Sequence, residues 1–449
     1  MHVVMFADQH VQSLGGAQVS MRLQRRFLER AGHTVTIVAP AMHGALAARM
    51  LGDRDPAFVD MPSIPITPDF EYSFTWPGRR TDRWVDAALA GRPPVDVVHV
   101  QADFWGAFIG HRYARRHGLP VVHTMHNRVD VGIEATTPFP RLVLRALNAW
   151  QRRALGGFFG AKPGGRDGWA FLRRFASRSD AVTAPSSHFA RRLEAHAVVP
   201  GHPTLLRSSE SERRALADGV APASGGVDVI WNGIDDEVLD AALAAASTER
   251  APGRPRLVWL GRMSPEKRLL PFLEAVAESG VDADIEVIGG GGQLRPARRL
   301  VARRGIDAFA GEGRGLSSDE AFAAAVSRPG PAVVFAGRLP YPETLRRIAA
   351  ADAVVQTSIG FETQGMTVFE AASLGTPAIV SDRDIAEELE AGHWTVAGES
   401  VGALADALLA ASADIAAGRS PLPHPTVRER FRQSSRTAAM IEVYRRAMG

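Results

Sequence analysis

The chain contains no cysteine. That excludes disulfides and thiolate-bound metal, and it suits a cytoplasmic protein. Lysine is nearly missing too: of 52 basic residues, only Lys162 and Lys267 are lysines. Where arginine serves almost everywhere, a retained lysine marks a place that calls for a compact ammonium instead of a flat guanidinium fork. No apolar run approaches the roughly 20 residues that cross a bilayer. The first residues, Met1-His2-Val3-Val4-Met5-Phe6-Ala7-Asp8, carry no cationic leader and read directly as a strand, unlike a signal peptide.

What is present points to a large α/β protein. A chain of 449 residues exceeds one ordinary core, so two domains are expected, and 45% hydrophobic residues support packed domains over disorder. Apolar runs of strand length alternate with helical periodicity. They fall at His2–Ala7, Thr34–Val38, Val95–Val100, Pro120–Thr124, Ala181–Ala184 and Val227–Trp231 in the first half. In the second half they fall at Arg256–Leu260, Ile285–Ile288, Ala332–Ala336, Ala353–Gln356 and Pro377–Ser381. Strands spaced by helices require crossovers, hence parallel sheets covered on both faces. The polar, proline-containing stretch Ser247–Pro255 predicts the break between two doubly wound, Rossmann-like domains facing a central cleft, where the carboxyl ends of the strands would hold a ligand.

Lys267 stands in Gly261-Arg262-Met263-Ser264-Pro265-Glu266-Lys267-Arg268, between the apolar run Leu257–Leu260 and a helical pattern through Leu269, Phe272 and Val276. Cations in a strand-to-helix turn, beside the free N–H groups of the helix, suit a phosphate or diphosphate. A second signal is Gly360-Phe361-Glu362-Thr363-Gln364-Gly365-Met366-Thr367-Val368-Phe369-Glu370. A helix beginning near Gly365 puts Glu362 in the preceding loop and Glu370 about two turns inside, able to contact successive parts of one extended ligand.

These motifs, with Gly15-Gly16-Ala17-Gln18, Val121–Asn127, Asp180–Ser186 and Trp231-Asn232-Gly233-Ile234-Asp235, follow the order seen in a known family and span nearly the whole chain. The chain resembles the retaining glycosyltransferases of family 4, which have the two-domain GT-B fold. The resemblance implies an acceptor-side domain at 1–250, a nucleotide-sugar domain at 251–425, and a last helix, Val427–Ala447 within 426–449, that crosses back to the first domain. It implies transfer of a hexosyl-type sugar from a nucleoside-diphosphate sugar to an acceptor hydroxyl; a cell-envelope acceptor, lipid-linked in keeping with the basic segment Arg141–Arg192, is expected, and a soluble acceptor is the alternative. Arg262 and Lys267 would bind the diphosphate with the backbone at Gly15 and Gly16. Glu370 would take the ribose hydroxyls, and Glu362 with the Gly365, Met366 and Thr367 backbone would hold the sugar. His126 would lie at the reacting face, and Asn232 would join the binding residues. Thr363-Gln364 replace the family's frequent aromatic residue and glycine, and Arg268 stands where glycine commonly follows the lysine.

Other chemistries fit less well. Gly289–Gly292 follows a strand but lacks the third glycine of a dinucleotide fingerprint. The pairs Asp53/Asp55, Asp282/Asp284 and Asp382/Asp384 are near chance for a chain with 49 acidic residues, and His123 with His126 is a poor metal pair on a strand end, so neither metal nor cofactor is expected. A nucleotide-sugar epimerase shares the architecture but not the ordered motifs, and a dead binding protein would not need Arg262, Lys267, Glu362 and Glu370 together. An insertion at about 135–180 is basic and amphipathic: Arg141–Arg192 holds eleven basic and two acidic residues, with Trp150, Phe158, Phe159 and Trp169 interleaved. It suits an anionic membrane surface on the inner face of the plasma membrane, or simple packing on its own domain. No recognition motif accompanies the charge, so nucleic acid is not expected.

Overall fold

The computed structural model describes residues 1–13, 16–44, 55–67, 70, 72–155, 165–199, 226–245, 253–310 and 329–449. The chain forms two compact units: Met1–Gly233 with Gln433–Gly449, and Ile234–Arg432. The division therefore falls before the expected boundary at 250. The helix Asp236–Ala245 packs on the helices Tyr341–Ala349 and Met366–Leu374 of the second unit, which draws the crossing point back to Gly233. The expected linker lies partly outside the described residues.

The first unit holds strands β1 (His2–Ala7), β2 (Thr34–Pro40), β3 (Phe58–Met61), β4 (Ile64–Pro65), β5 (Ser73–Phe74), β6 (Val97–Gln101), β7 (Val121–Thr124), β8 (Ala181–Ala184) and β9 (Val227–Val229). Seven of them form a parallel sheet in the order β3-β2-β1-β6-β7-β8-β9, while β4 and β5 make a small antiparallel hairpin. The period of two decides which core each side chain joins. Val4 and Phe6 of β1 enter a core with Phe108 and Phe171, whereas Val3, Met5 and Ala7 enter another with Met21, Met440 and Tyr444. The last helix is thus part of this unit. The expected single helix Val427–Ala447 is two, Thr426–Phe431 and Gln433–Met448, parted at Arg432, whose ψ of 138° leaves helical geometry where the chain changes units.

The second unit holds β10 (Arg256–Arg262), β11 (Asp284–Gly290), β12 (Asp307–Ala310), β13 (Ala332–Gly337), β14 (Ala353–Gln356), β15 (Ala378–Val380) and β16 (His393–Thr395), ordered β12-β13-β11-β10-β14-β15-β16 and all parallel. Leu257, Trp259, Ile285, Val287 and Phe335 pack against the helices Leu269–Ser279 and Val401–Ala416. The strand order reverses direction beside β10 and β14, the place where such sheets bind ligands at their carboxyl ends.

Candidate active site

Arg262 ends β10, and the turn after it is pinned to the end of β11. Met263 N–H donates to the Gly290 carbonyl (2.8 Å), and Gln293 N–H donates to the Met263 carbonyl (3.0 Å). This approach requires glycine at two places in the run, Gly289 and Gly291. A Cβ on Gly289 (φ 130°) would lie 1.9 Å from the Gly261 carbonyl oxygen, and one on Gly291 (φ 149°) would lie 2.6 Å from that of Met263. A single 3-10 turn, Pro265–Lys267, then leads through Arg268 into the helix Leu269–Ser279. Arg268 sits at φ 54°, ψ 36°, a left-handed conformation that glycine adopts without strain, so the backbone wants what the family commonly supplies.

The Lys267 ammonium is ion-paired to Glu362, and Ser358 Oγ donates to the same carboxylate oxygen at 2.8 Å. Thr357, just past β14, bonds through its hydroxyl to the Lys267 carbonyl (2.6 Å) and accepts the Trp259 indole N–H (2.9 Å). The loops after neighbouring strands β10 and β14 are therefore tied by both side chain and backbone. The Glu362 loop is also fixed at Gly360, whose N–H donates to Asp382 (2.7 Å). Arg262 is different: its side chain is 60% exposed, pairs among the described residues with Glu266 at 3.4 Å, and stays open to a ligand.

Gly365 (φ 79°) opens the helix Met366–Leu374, which leaves the first-turn N–H groups at Met366 and Thr367 without helical acceptors. Glu370 faces inward from this helix, only 5% exposed, and accepts a 2.8 Å hydrogen bond from Tyr341. Burial raises its carboxyl above the usual range, and the Tyr341 hydroxyl opposes that shift. The two glutamates thus have separate partners. The sequence reading singled out both glutamates but not Tyr341, which packing of the helix Tyr341–Ala349 on Met366–Leu374 brings to Glu370, nor Ser358 and Thr357, which follow from strand adjacency.

His126 lies in the first unit past the end of β7, 8% exposed, with Nε2 3.2 Å from Gln101 Oε1. Burial lowers its pKa to about 4, so the ring is neutral near pH 7. Gln101 donates to Gln24 (2.5 Å), which donates to the Tyr444 hydroxyl (3.2 Å), so the last helix helps hold the ring's partner. Two carboxylates missed in the sequence lock the neighbouring strand ends. Asp8 accepts the N–H groups of Asp103 (2.8 Å), Phe104 (3.0 Å) and Gly106 (2.8 Å), and burial raises it to about 6. Asp103 accepts from the Asn127 amide at 2.6 Å and rises to about 7, first through burial and then through the Asp8 charge.

Gly16 is exposed at the start of the helix Gly16–Arg30, and Gly15 lies outside the described residues. Asn232 is half-buried at the edge of the first unit, beside Gly233, whose Cβ position lies 2.8 Å from Gln433 Cα. His123 bonds to the Ala102 carbonyl (2.9 Å) and to His111 (3.1 Å). Asp55 binds Arg25, Asp282 and Asp284 flank Arg254, and Asp382 caps the helix Arg383–Leu389; Asp53 lies outside the described residues. Among the described residues no group of three or more histidines and carboxylates is placed to hold a metal ion. In the basic insertion, Phe171 and Phe175 are core residues, Trp169 stacks on His196 at 4.0 Å, and Arg174 is buried. Lys162, Phe158 and Phe159 lie outside the described residues.

Comparison with known proteins agrees along the chain. The profile of Glycosyltransferase Family 4 matches residues 14–206, and that of Glycosyl transferases group 1 matches residues 254–414. The 2-deoxystreptamine N-acetyl-D-glucosaminyltransferase of Streptomyces fradiae is 26% identical over 423 residues, covering 90% of this chain and 81% of the relative. The alpha-monoglucosyldiacylglycerol synthase of Streptococcus pneumoniae is 22% identical over 382 residues, covering 84% and 70%. Among solved structures, Anabaena HepE in complex with UDP superposes with a TM-score of 0.58 at 14% identity, covering 99% of both chains. The chain belongs to glycosyltransferase family 4 and has the GT-B fold.

Proposed function

We propose that this glycosyltransferase retains anomeric configuration while moving a hexosyl-type sugar from a nucleoside-diphosphate sugar to a hydroxyl of a cell-envelope, lipid-linked acceptor, without a metal ion. The observation that carries the donor assignment is the pairing of Lys267 with Glu362, which also accepts from Ser358, beside exposed Arg262 and the open N-terminus at Gly365–Thr367. Breaking the anomeric C–O bond leaves negative charge on the diphosphate, so stabilising the leaving group is the main task. Lys267 is held in place by a carboxylate that a diphosphate can replace as its partner. Glu362 is then released toward the sugar with the N–H groups of Met366 and Thr367. Glu370, fixed by Tyr341, accepts the ribose hydroxyls. His126, neutral near pH 7, contributes a ring nitrogen at the reacting face and no positive charge. The leaving phosphate oxygen takes the acceptor's proton on the same face, so no protein base is assigned.

Solved neighbours in complex with UDP and UDP-glucose support testing uridine donors first. The monoglucosyldiacylglycerol in one relative's name supports a lipid acceptor, while the 2-deoxystreptamine in the other's keeps a soluble one in view. The test is a panel of nucleotide sugars with chelator present, followed by NMR of the first product. Transfer with the donor's anomeric configuration is expected. An inverted product would end the retaining assignment, and loss of transfer on chelation would end the metal-free one.

A further inference from the structure

Large apolar side chains that stand exposed one at a time need no explanation, but clustered ones do. Six of the nine such side chains among the described residues fall in two short stretches of the first unit. Ile64, Ile66, Phe70 and Trp76 are 65%, 53%, 46% and 66% exposed, and Phe139 and Leu142 are 69% and 66% exposed. Ring contacts join the stretches: Trp76 lies 5.6 Å from Trp150, and Phe74 lies 6.1 Å from Trp150 and 5.2 Å from Trp105.

Their position in the fold follows from the helices. Trp105 opens the helix Trp105–His117 that follows β6, so the β4–β5 hairpin and Trp76 sit at the carboxyl-end rim of the sheet. The helix Pro140–Leu155 runs beside Trp105–His117 in the same direction, since Trp150 meets Phe108 at 4.8 Å and Arg112 donates to the Ala154 carbonyl. Traced backward from Trp150, this helix passes the start of its neighbour, and Phe139 stands about 16 Å from the level of Trp150, about 12 Å beyond that start. Both apolar groups therefore project from the same rim.

Charge selects the occupant. Pro140–Leu155 carries Arg141, Arg145, Arg152 and Arg153, all exposed, and no acidic residue. Trp76 is followed within four residues by exposed Arg79 and Arg80. A second copy of this chain would set arginine against arginine. The sequence also sets Asp69 and Glu71 beside Phe70, so the basic excess lies with Arg79, Arg80 and the arginines of Pro140–Leu155. Aromatic and aliphatic side chains bordered by this net excess of arginine match the headgroup region of an anionic bilayer, where the rings bury shallowly and the cations meet phosphate. We infer that this rim, built from the β4–β5 hairpin with Trp76 and the Phe139–Arg153 segment, docks the protein on an anionic membrane surface. No helix among the described residues is long and apolar enough to cross a membrane, so the attachment is peripheral. The inference goes beyond the donor site, which it does not require.

Cosedimentation with phosphatidylcholine vesicles, with and without phosphatidylglycerol, at low and high salt, decides it. The wild-type protein is expected to pellet with phosphatidylglycerol vesicles at low salt and to be released by high salt. Trp76→Ser with Phe139→Ser should weaken binding at least about tenfold. Arg141→Gln with Arg145→Gln should weaken it about fivefold per arginine and flatten its salt dependence. Nucleotide-sugar turnover is followed in the same preparations and should be unchanged in every variant, which separates a misfolded variant from a misassigned surface. Wild-type protein that stays in the supernatant, binds neutral vesicles equally well, forms dimers through this face, or binds as well after the Trp76 and Phe139 changes would overturn the inference.

Discussion

Removing one hydroxyl, in Tyr341→Phe, tests the nucleotide side of the site. The Tyr341 O–H donates to Glu370 at 2.8 Å, and Glu370 is nearly inaccessible to water. A hydrogen bond to an ionised group is worth about 1.5–3 kcal/mol, so its loss favours the protonated carboxyl by that amount. Burial already raises the Glu370 pKa, and the substitution should raise it further. Because the folded pKa is raised, Glu370 contributes stability at low pH that is lost as pH rises through the folded value. Ribose recognition runs the other way, since only the ionised carboxylate accepts two hydroxyls. Nucleoside diphosphate affinity should therefore strengthen as pH rises through the Glu370 pKa, and in Tyr341→Phe this rise should move to higher pH. On the acid side of that rise the variant should bind about tenfold or more weakly than wild type, and on its alkaline side the gap should shrink. Titration calorimetry on both sides of the rise measures this, and kcat at saturating donor should change little. Equal affinity on both sides, with a fall in kcat instead, would show that Tyr341 does not act through Glu370.

The two buried carboxylates of the first unit, raised to about 6 and about 7, favour their protonated forms in the folded state, so the stability they contribute is present at low pH and is lost as pH rises through about 6 to 7. Asp103→Asn should flatten that loss in a melting-temperature series, and an unchanged slope would contradict the burial argument. Gly291→Ala places a Cβ 2.6 Å from the Met263 carbonyl at a φ of 149°, so it should cost about 2 kcal/mol or more and loosen the Arg262 turn. A lowered melting temperature with weaker donor binding is expected, and wild-type values for both would refute it. Glu362→Ala should depress turnover with little loss of nucleoside diphosphate binding, while Glu370→Ala should chiefly weaken that binding; the opposite pattern in titration and turnover would exchange their roles.

Buried strands were legible in the sequence because burial on both faces writes them as unbroken apolar runs. Thus β1, β8 and β14, buried along nearly their whole length, match their apolar runs end to end, whereas the edge strands β3 and β16 alternate or stay partly exposed and leave no unbroken run. The break at Arg432 was invisible because both flanking helices keep apolar periodicity through it. Lys267 stood out through its rarity and Glu362 through its motif. Their pairing depended on β10 and β14 being neighbours, which no local pattern states. Gly289–Gly292 misled in an instructive way. As a dinucleotide fingerprint it failed, yet its positive φ values are what let the Arg262 turn close on β11. Asp8, Asp103 and Tyr341 draw their character from burial, which a single acidic or aromatic letter does not reveal.

The most direct measurement is donor turnover in Lys267→Ala and Arg262→Ala, with donor found by the nucleotide-sugar panel. Both side chains are placed to neutralise charge that develops on the leaving diphosphate, and losing one such group costs about a hundredfold or more in turnover. Arg262 is largely exposed and Lys267 partly so, so both variants should fold, as a melting curve would confirm. Folded variants whose turnover falls about a hundredfold or more are the predicted result. Near-normal turnover in both would contradict the diphosphate site.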